Sequence, residues 1–259
     1  MRTLLLLCGL AAAAMAAEEP TFQPLLDAKL SQWEKWLGVP HRSYEVPGYV
    51  RGATAKEDPV LGLNRDPLGV FTVQIVDGEP VLRITGQVFG GLTSLQSFDN
   101  FHLRTQQRWG TLKWEPRLNA VRDNGILIFC VGEHGAGGKN WMRSQECQVQ
   151  EGDIGDWWPI AGAMVDVAVR DEEPKVVRFV PGAPLRAMRT RVWHGQDYQE
   201  KPSGEWNTIE VYALDGQAVF RLNGRTVNVI RNSRYREKGS EQEIPLKAGK
   251  LQIQSEAAE

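Results

Sequence analysis

Three dipeptides limit what this chain can fold into: Asp77-Gly78, Asp215-Gly216 and Asn223-Gly224. Each sits beside short runs rich in apolar and β-branched residues. Asp77-Gly78 separates Val70–Val76 (VFTVQIV) from Pro80–Thr85 (PVLRIT). Asp215-Gly216 separates Trp206–Leu214 from Ala218–Leu222, and Asn223-Gly224 leads on to Thr226–Ile230. A two-residue hairpin loop whose twist matches its strands needs positive φ at both positions, and Asn, Asp and Gly adopt that conformation most readily. The three sites therefore predict three antiparallel hairpins.

The rest of the chain after residue 70 agrees. Phe98–Arg108 alternates, with Phe101 and Leu103 on one face and His102 and Arg104 on the other. Gly125–Val131 (GILIFCV) is a continuous apolar run, the pattern of a strand buried on both faces. Val165–Arg170 and Lys175–Val180 form another pair, and Gly249–Gln254 closes the series. About ten to twelve short strands, with no long helical stretch between them, predict an all-β fold: an antiparallel two-sheet sandwich or jelly roll. Leu25–Leu37 (LLDAKLSQWEKWL) has apolar spacing near three to four and predicts a short N-terminal helical patch. Val39–Pro67, rich in Pro, Gly and charge, predicts a long coil lying over the surface.

The first residues carry a different signature. Arg2, the apolar stretch from Leu4 to Ala13 and Ala14-Met15-Ala16 read as a signal peptide over 1–17 with its cleavage site. Leu7 before Cys8 stands where a lipoprotein box wants a small residue, and the apolar run is too short for a membrane span. The expected organisation is a signal peptide over 1–17, a strap or leader over 18–69 packed on the domain, and one β-sandwich over 70–259. The mature chain is expected in the periplasm or outside the cell. The full sequence has 30 basic and 32 acidic residues, and loss of Arg2 leaves this near-neutral balance in place, so the chain offers no electrostatic footprint for nucleic acid and no segment for membrane insertion. Cys130 and Cys147 remain after cleavage, and sequence leaves open whether they pair or stay as buried thiols.

The chemistry-bearing stretch is Trp141–Trp158. It places Glu146, Gln148, Glu151, Asp153 and Asp156 between Trp141 at one end and Trp157 and Trp158 at the other. Glu146, Gln148 and Gln150 alternate with Cys147 and Val149, so a strand would turn the acid and amides to one face and the apolar residues to a core. Carboxylates for proton transfer beside indole faces for stacking suit a carbohydrate cleft. A solvated strand face followed by an acidic turn is the competing reading. If both cysteines face the core, Phe129 and Gln148 face the cleft, with His134 carried to its rim by the glycine-rich turn and Asp123-Asn124 able to reach the same side. Trp141, Trp157, Trp158 and Trp193 lie near turns, where sugar stacking or plain packing is open.

Glycan-cleaving sandwiches often use two acids, but Gln148 stands between Glu146 and Glu151, which weakens that pattern. Asp153 and Asp156, with Glu151 and His134 or His194, also offer ligands to a divalent metal, though without a tight ligand signature. No cofactor is otherwise called for: there is no Gly-x-Ser-x-Gly elbow, and Gly132–Gly138 precedes a strand rather than a helix.

These residues together resemble the 3-keto-disaccharide hydrolase family. The likeness rests on Leu26–Gly38, the W-G-x-x-K-W-x-P-R pattern ending at Arg117, Asp123-Asn-Gly-Ile126, Trp141–Asp156, Gly204-Glu-Trp-Asn207, Leu222-Asn-Gly224 and Gly249–Glu256. Relatives often carry an imidazole where this chain has Phe129, and their pattern usually continues past Glu259. The resemblance implies a concanavalin A-like jelly roll acting on glycosides oxidised at C3. A 3-ketone acidifies the C2 proton, so one base can start elimination of the C1 substituent, followed by hydration. The resemblance assigns Glu146 as base, Gln148 as the group positioning substrate and Glu151 or His134 as the group assisting proton return. Asn124, His134, Trp141, Trp157 and His194 are the expected substrate contacts. A non-catalytic, lectin-like carbohydrate-binding module and a conventional two-carboxylate glycoside hydrolase are the alternatives.

Overall fold

The computed structural model describes residues 21–259, so the expected signal peptide lies outside the described residues. The strands in chain order are β1 (Trp33–Leu37), β2 (Gly62–Leu63), β3 (Phe71–Val76), β4 (Glu79–Ile84), β5 (Gly90–Phe98), β6 (Phe101–Gln107), β7 (Gly125–Val131), β8 (Arg143–Gln148) and β9 (Trp157–Ile160). They continue with β10 (Ala163–Glu173), β11 (Val176–Phe179), β12 (Leu185–Met188), β13 (Asn207–Leu214), β14 (Gln217–Leu222), β15 (Arg225–Tyr235), β16 (Ile244–Pro245) and β17 (Gly249–Ser255). Among the described residues no helix forms.

The strands make two large antiparallel sheets. The first runs β2-β1-β5-β17-β7-β8-β9; the second runs β11-β10-β15-β14-β13-β6, with β12 also on β10 and β16 on β15. The β3-β4 hairpin stands apart as a two-stranded sheet. All three expected hairpins form. Their loops have φ of 53° and 86° at Asp77-Gly78, 48° and 74° at Asp215-Gly216, and 47° and 82° at Asn223-Gly224.

The main core lies between the two sheets. Ile126, Ile128, Cys147 and Trp157 from the first sheet meet Val165, Val167, Ile209, Val211, Phe220 and Ile230 from the second. Period-two alternation supplies most of this inner face. One polar network crosses it: Gln145 Nε2 donates to Ser233 Oγ at 2.7 Å and Trp157 Nε1 donates to Gln145 Oε1 at 2.8 Å. Both residues are fully buried, so these bonds satisfy groups that would otherwise be costly to desolvate.

Two expectations are corrected here. Leu25–Leu37 is not helical: Trp33–Leu37 is a strand paired to both β2 and β5. Asp27 Oδ1 accepts the N–H groups of Lys29 and Ser31, and Leu30 takes φ of 54°, so a local turn competes with helix where the apolar spacing alone allowed one. Phe129 does not face the cleft. A register shift between Ile128 and Val131, with Phe129 at φ 55°, returns its ring to the inter-sheet core and turns Cys130 to the opposite face beside Leu127 and Met142. Cys130 and Cys147 are accordingly free, buried and on opposite faces of the sheet. The 18–69 segment contributes two strands to the first sheet and packs Leu37, Val46 and Leu61 against Val70, Phe71 and Leu92 in a second core.

Candidate functional site

The outer face of the first sheet carries the polar half of its alternating strands. Directly opposed residues share a face, and the pairings Glu34–Thr93, Thr93–Gln252, Gln252–Leu127, Leu127–Glu146 and Glu146–Trp158 define one row across five joints. The parallel row holds Trp36, Gly91, Gln254, Gly125 and Gln148. A third pairs Asp123 directly with Glu256.

Glycine makes room for this chemistry. A Cβ on Gly125 would stand 2.2 Å from Glu146 Oε1 and 2.6 Å from Gln254 Oε1. The Glu146 carboxyl and the Gln254 amide therefore lie across bare backbone, in space any other residue would fill. Gly91 does the same for Gln252, whose side chain would lie 2.4 Å from an added Cβ. Asp123 is two residues from Gly125 on the same face, one pleat repeat or about 6.6 Å along the strand. Glu146 is only 4% exposed, and Asp123 equally so.

Three carboxyls thus converge: Glu146 from β8, Asp123 at the entry to β7 and Glu256 just after β17. One guanidinium serves the last two. Arg117 Nη2 lies 2.6 Å from Asp123 Oδ2 and Nη1 lies 3.2 Å from Glu256 Oε1. Asp123 Oδ1 and Gln254 Oε1 are buried and accept no hydrogen bond among the described residues. Burial, followed by the charges of Glu256 and Asp123, pushes the Glu146 carboxyl well above the ordinary carboxylate range. Burial likewise raises Asp123 and Glu256, each further raised by nearby carboxylates. A buried carboxylate trio with a single Arg cannot all ionise cheaply, and that excess is a mark of functional sites.

A second acidic cluster adjoins it. In the turn after β8, Asp156 is fully buried, and its Oδ2 accepts from Arg191 Nε at 2.6 Å while its Oδ1 accepts the His194 N–H at 2.6 Å. Arg191 Nη2 also reaches Asp153 at 2.8 Å, and Gln150 donates to Asp153. Asp153, Asp156 and His194 do bring ligand atoms within 4.8 Å of one another, as the metal expectation required. Arg191, however, contacts both carboxylates and supplies the positive charge at that spot, so the donor set fits a guanidinium rather than a divalent ion. Above it, the Arg191 guanidinium lies 4.4 Å from the Trp193 ring centre and 5.5 Å from that of Trp158.

The remaining expected residues divide. Gln148 lies on the site face, two residues from Glu146, and its Oε1 accepts the Val149 N–H. Trp158 is half-buried beside Glu146, its Nε1 without a partner among the described residues. Trp157 is fully buried in the inter-sheet core and cannot stack on a ligand. Glu151 turns away to Arg122, accepting its backbone N–H at 3.0 Å and its Nη1 at 2.9 Å, and these bonds hold the carboxyl below its ordinary range despite partial burial. Asn124 Oδ1 accepts from Gly125 N at 2.8 Å, one parity step off the site face. The His194 ring stacks on Tyr198 at 3.8 Å. His134 pairs with Glu34 at 3.1 Å, four strands from Glu146 or about 19 Å across the sheet. Trp141 donates to Gly90 O at 3.0 Å and stacks near Phe89.

Glu256 and Gln254 had a readable signal: Lys250, Gln252, Gln254 and Glu256 alternate with Leu251, Ile253 and Ser255 just as Glu146, Gln148 and Gln150 do in β8. Arg117 and Arg191 lie in irregular segments, where no period marks a side chain's direction.

Comparison with known proteins adds the following. A family model described as a 3-keto-alpha-glucoside-1,2-lyase-like domain matches residues 21–259. No curated protein matches the chain. Among solved structures, a protein provisionally described as a glycosyl hydrolase from Parabacteroides distasonis ATCC 8503 is 16% identical over 71% of this chain and 81% of its own, with a TM-score of 0.42. The carbohydrate binding module CBM66 from Bacillus subtilis is 9% identical over 73% and 85%, with a TM-score of 0.40. A Bacillus subtilis protein of unknown function with a galectin-like fold is 10% identical over 73% and 81%, with a TM-score of 0.37. At these scores the likenesses carry no functional weight.

Proposed function

The chain belongs to the 3-keto-alpha-glucoside-1,2-lyase-like family, and from that premise we propose that it is an exported enzyme cleaving 3-keto-glycosides. Glu146 is the base that removes the C2 proton. The 3-ketone makes that proton acidic, the resulting enolate expels the C1 substituent, and water adds to the unsaturated sugar. Gln148 and Gln254 lie beside Glu146 as amides able to orient the ring, and the half-buried Trp158 indole next to it offers a face for sugar C–H groups. The observation that carries this reading is the Glu146 carboxyl laid over Gly125 with raised proton affinity, since a base matched to a carbon acid must hold a proton more tightly than an ordinary carboxylate.

The near-complete burial of Glu146 supports a second reading, a carbohydrate-binding module that contacts sugars through Trp158 without turning them over. Purified protein incubated with a 3-keto-glucoside and with its unoxidised parent separates these. Aglycone release from the 3-keto compound alone supports elimination. Release from the parent supports two-acid hydrolysis, and binding without release supports the module.

A further inference from the structure

The proposed elimination leaves one proton unassigned, the one that must reach the departing oxygen. Asp123 and Glu256 are paired directly across the sheet, where like charges repel, and Arg117 alone forks between them. Glu146 adds a third carboxyl nearby, while Asp123 Oδ1 is buried and unpaired among the described residues. An unpaired buried oxygen on the site face, one pleat repeat from the carboxyl over Gly125, lies at the separation expected for two groups working on adjacent atoms of one sugar.

We propose that the Asp123–Glu256 pair shares one proton and delivers it to the leaving oxygen of the substrate. This rests on the reading that the protein cleaves 3-keto-glycosides with Glu146 as base. Glu146 takes the C2 proton, and the C–H electron pair enters the C2–C3 enolate. That pair then forms the C1–C2 double bond as the C1–O bond breaks. The leaving oxygen takes the proton from the Asp123–Glu256 pair and departs as an alcohol. Water next adds its hydroxyl to C1. Its other proton restores the pair, and Glu146 returns its proton to C2. The sum is 3-keto-glycoside plus water giving 3-keto sugar plus alcohol. Burial raises both members of the pair, which keeps the shared proton available near neutrality. The charged groups facing the pair are Glu146 from β8, Arg117 from the preceding loop, Asp153 from the turn after β8 and Arg191 from the segment beside β9.

The test compares two 3-keto-glucosides, one with a 4-nitrophenyl group and one with a methyl group. Nitrophenolate leaves without help, whereas methoxide needs a proton. Asp123→Asn and Glu256→Gln are expected to lose about 100-fold more kcat/KM on the methyl compound than on the nitrophenyl one, within the range for removal of a general acid. Equal losses on both substrates, or none on either, overturn the proposal. Should either variant not fold, the wild-type pH profiles decide. The methyl compound alone should lose rate at high pH, as the pair loses its proton, and identical alkaline limbs overturn the proposal. Failure of the wild type on both compounds removes the underlying reading, and the proposal with it.

Discussion

Two acid clusters sit side by side on the outer face of one sheet and are built differently. At Asp153 and Asp156, one guanidinium, one side-chain amide and one backbone N–H meet two carboxylates. At Glu146, Asp123 and Glu256, two of three carboxyls share one guanidinium, Glu146 makes no ion pair among the described residues, and two oxygens nearby have no partner among them. A satisfied buried ion pair fixes geometry, here anchoring the turn after β8 to the segment that runs beside β9. An unsatisfied one stores free energy that a ligand can release. In sequence Glu146 stands out as the base and the acidic turn as a cleft wall or metal loop; the turn is the ion-paired cluster, and Glu146 and Asp123 belong to the other.

The comparison breaks most sharply at Glu146. Glu146→Gln should reduce turnover of a 3-keto-glucoside by about 10²–10⁴-fold, the usual worth of a general base, while leaving thermal stability equal or higher because it removes a poorly compensated buried charge. Steady-state kinetics beside a melting curve reads both. At the satisfied cluster the effect should reverse. Arg191→Ala leaves Asp156 buried without its cation, with only the His194 N–H still donating to it, and should cost about 3–5 kcal/mol in denaturant unfolding. An unchanged midpoint would sink the claim that this cluster is structural.

Gly125→Ala sharpens the contrast within the site. The added methyl meets only the ends of the Glu146 and Gln254 side chains, so they move rather than the backbone. Stability should fall by no more than about 1–3 kcal/mol, while displacement of the base by about an ångström should cost about 10²-fold in kcat/KM. Burial raises Asp156 to about 7 as well, so both clusters respond to pH in the same direction and single variants are needed to separate them. Glu256 and Glu146 hold protons more tightly in the fold than an ordinary carboxyl does. Their contribution to stability is therefore present at low pH and is lost as pH rises above about 4.3 towards their raised values. Glu256→Gln should flatten the alkaline decline in unfolding free energy across that range. The smallest effect belongs to Glu151→Gln. Its partly exposed pairing with Arg122 is worth about 0.2–1 kcal/mol, and turnover should change less than about twofold.

Much of the fold was legible because its signals are local. Positive-φ turns favour Asp-Gly or Asn-Gly, and the three such sites flanked by strand-like runs became hairpins, while Asn124-Gly125, with no such run before it, leads into β7. The apolar run Gly125–Val131 became a strand with those bounds, and the alternation around Glu146 became β8. Trp33–Leu37 was misread because Leu26, Leu30, Trp33 and Leu37 fit a helical period as well as Trp33, Lys35 and Leu37 fit a strand. Pairing to β5 decided between them. Phe129 was misread because one bulge reverses parity for everything beyond it, and the bulge carries no glycine to announce it. Trp157 and Trp158 are adjacent and chemically identical, yet one is sealed against Gln145 and the other flanks the site.

Sequence alone determined that this chain forms antiparallel strands, where its turns fall and that Glu146 shares a face with Gln148, because each follows from backbone geometry within a few residues. Tertiary structure decided which acids meet. β17 inserts between β5 and β7, carrying Gln254 and Glu256 from the far end of the chain to the side of Asp123 and Glu146. Arg117 and Arg191 then sort the carboxyls into one group with fewer cations than acids and another in which both acids contact one guanidinium. That division rests on pairs such as Arg117–Glu256, 139 residues apart, and Arg191–Asp156, 35 apart, set by strand order and register that no local pattern specifies.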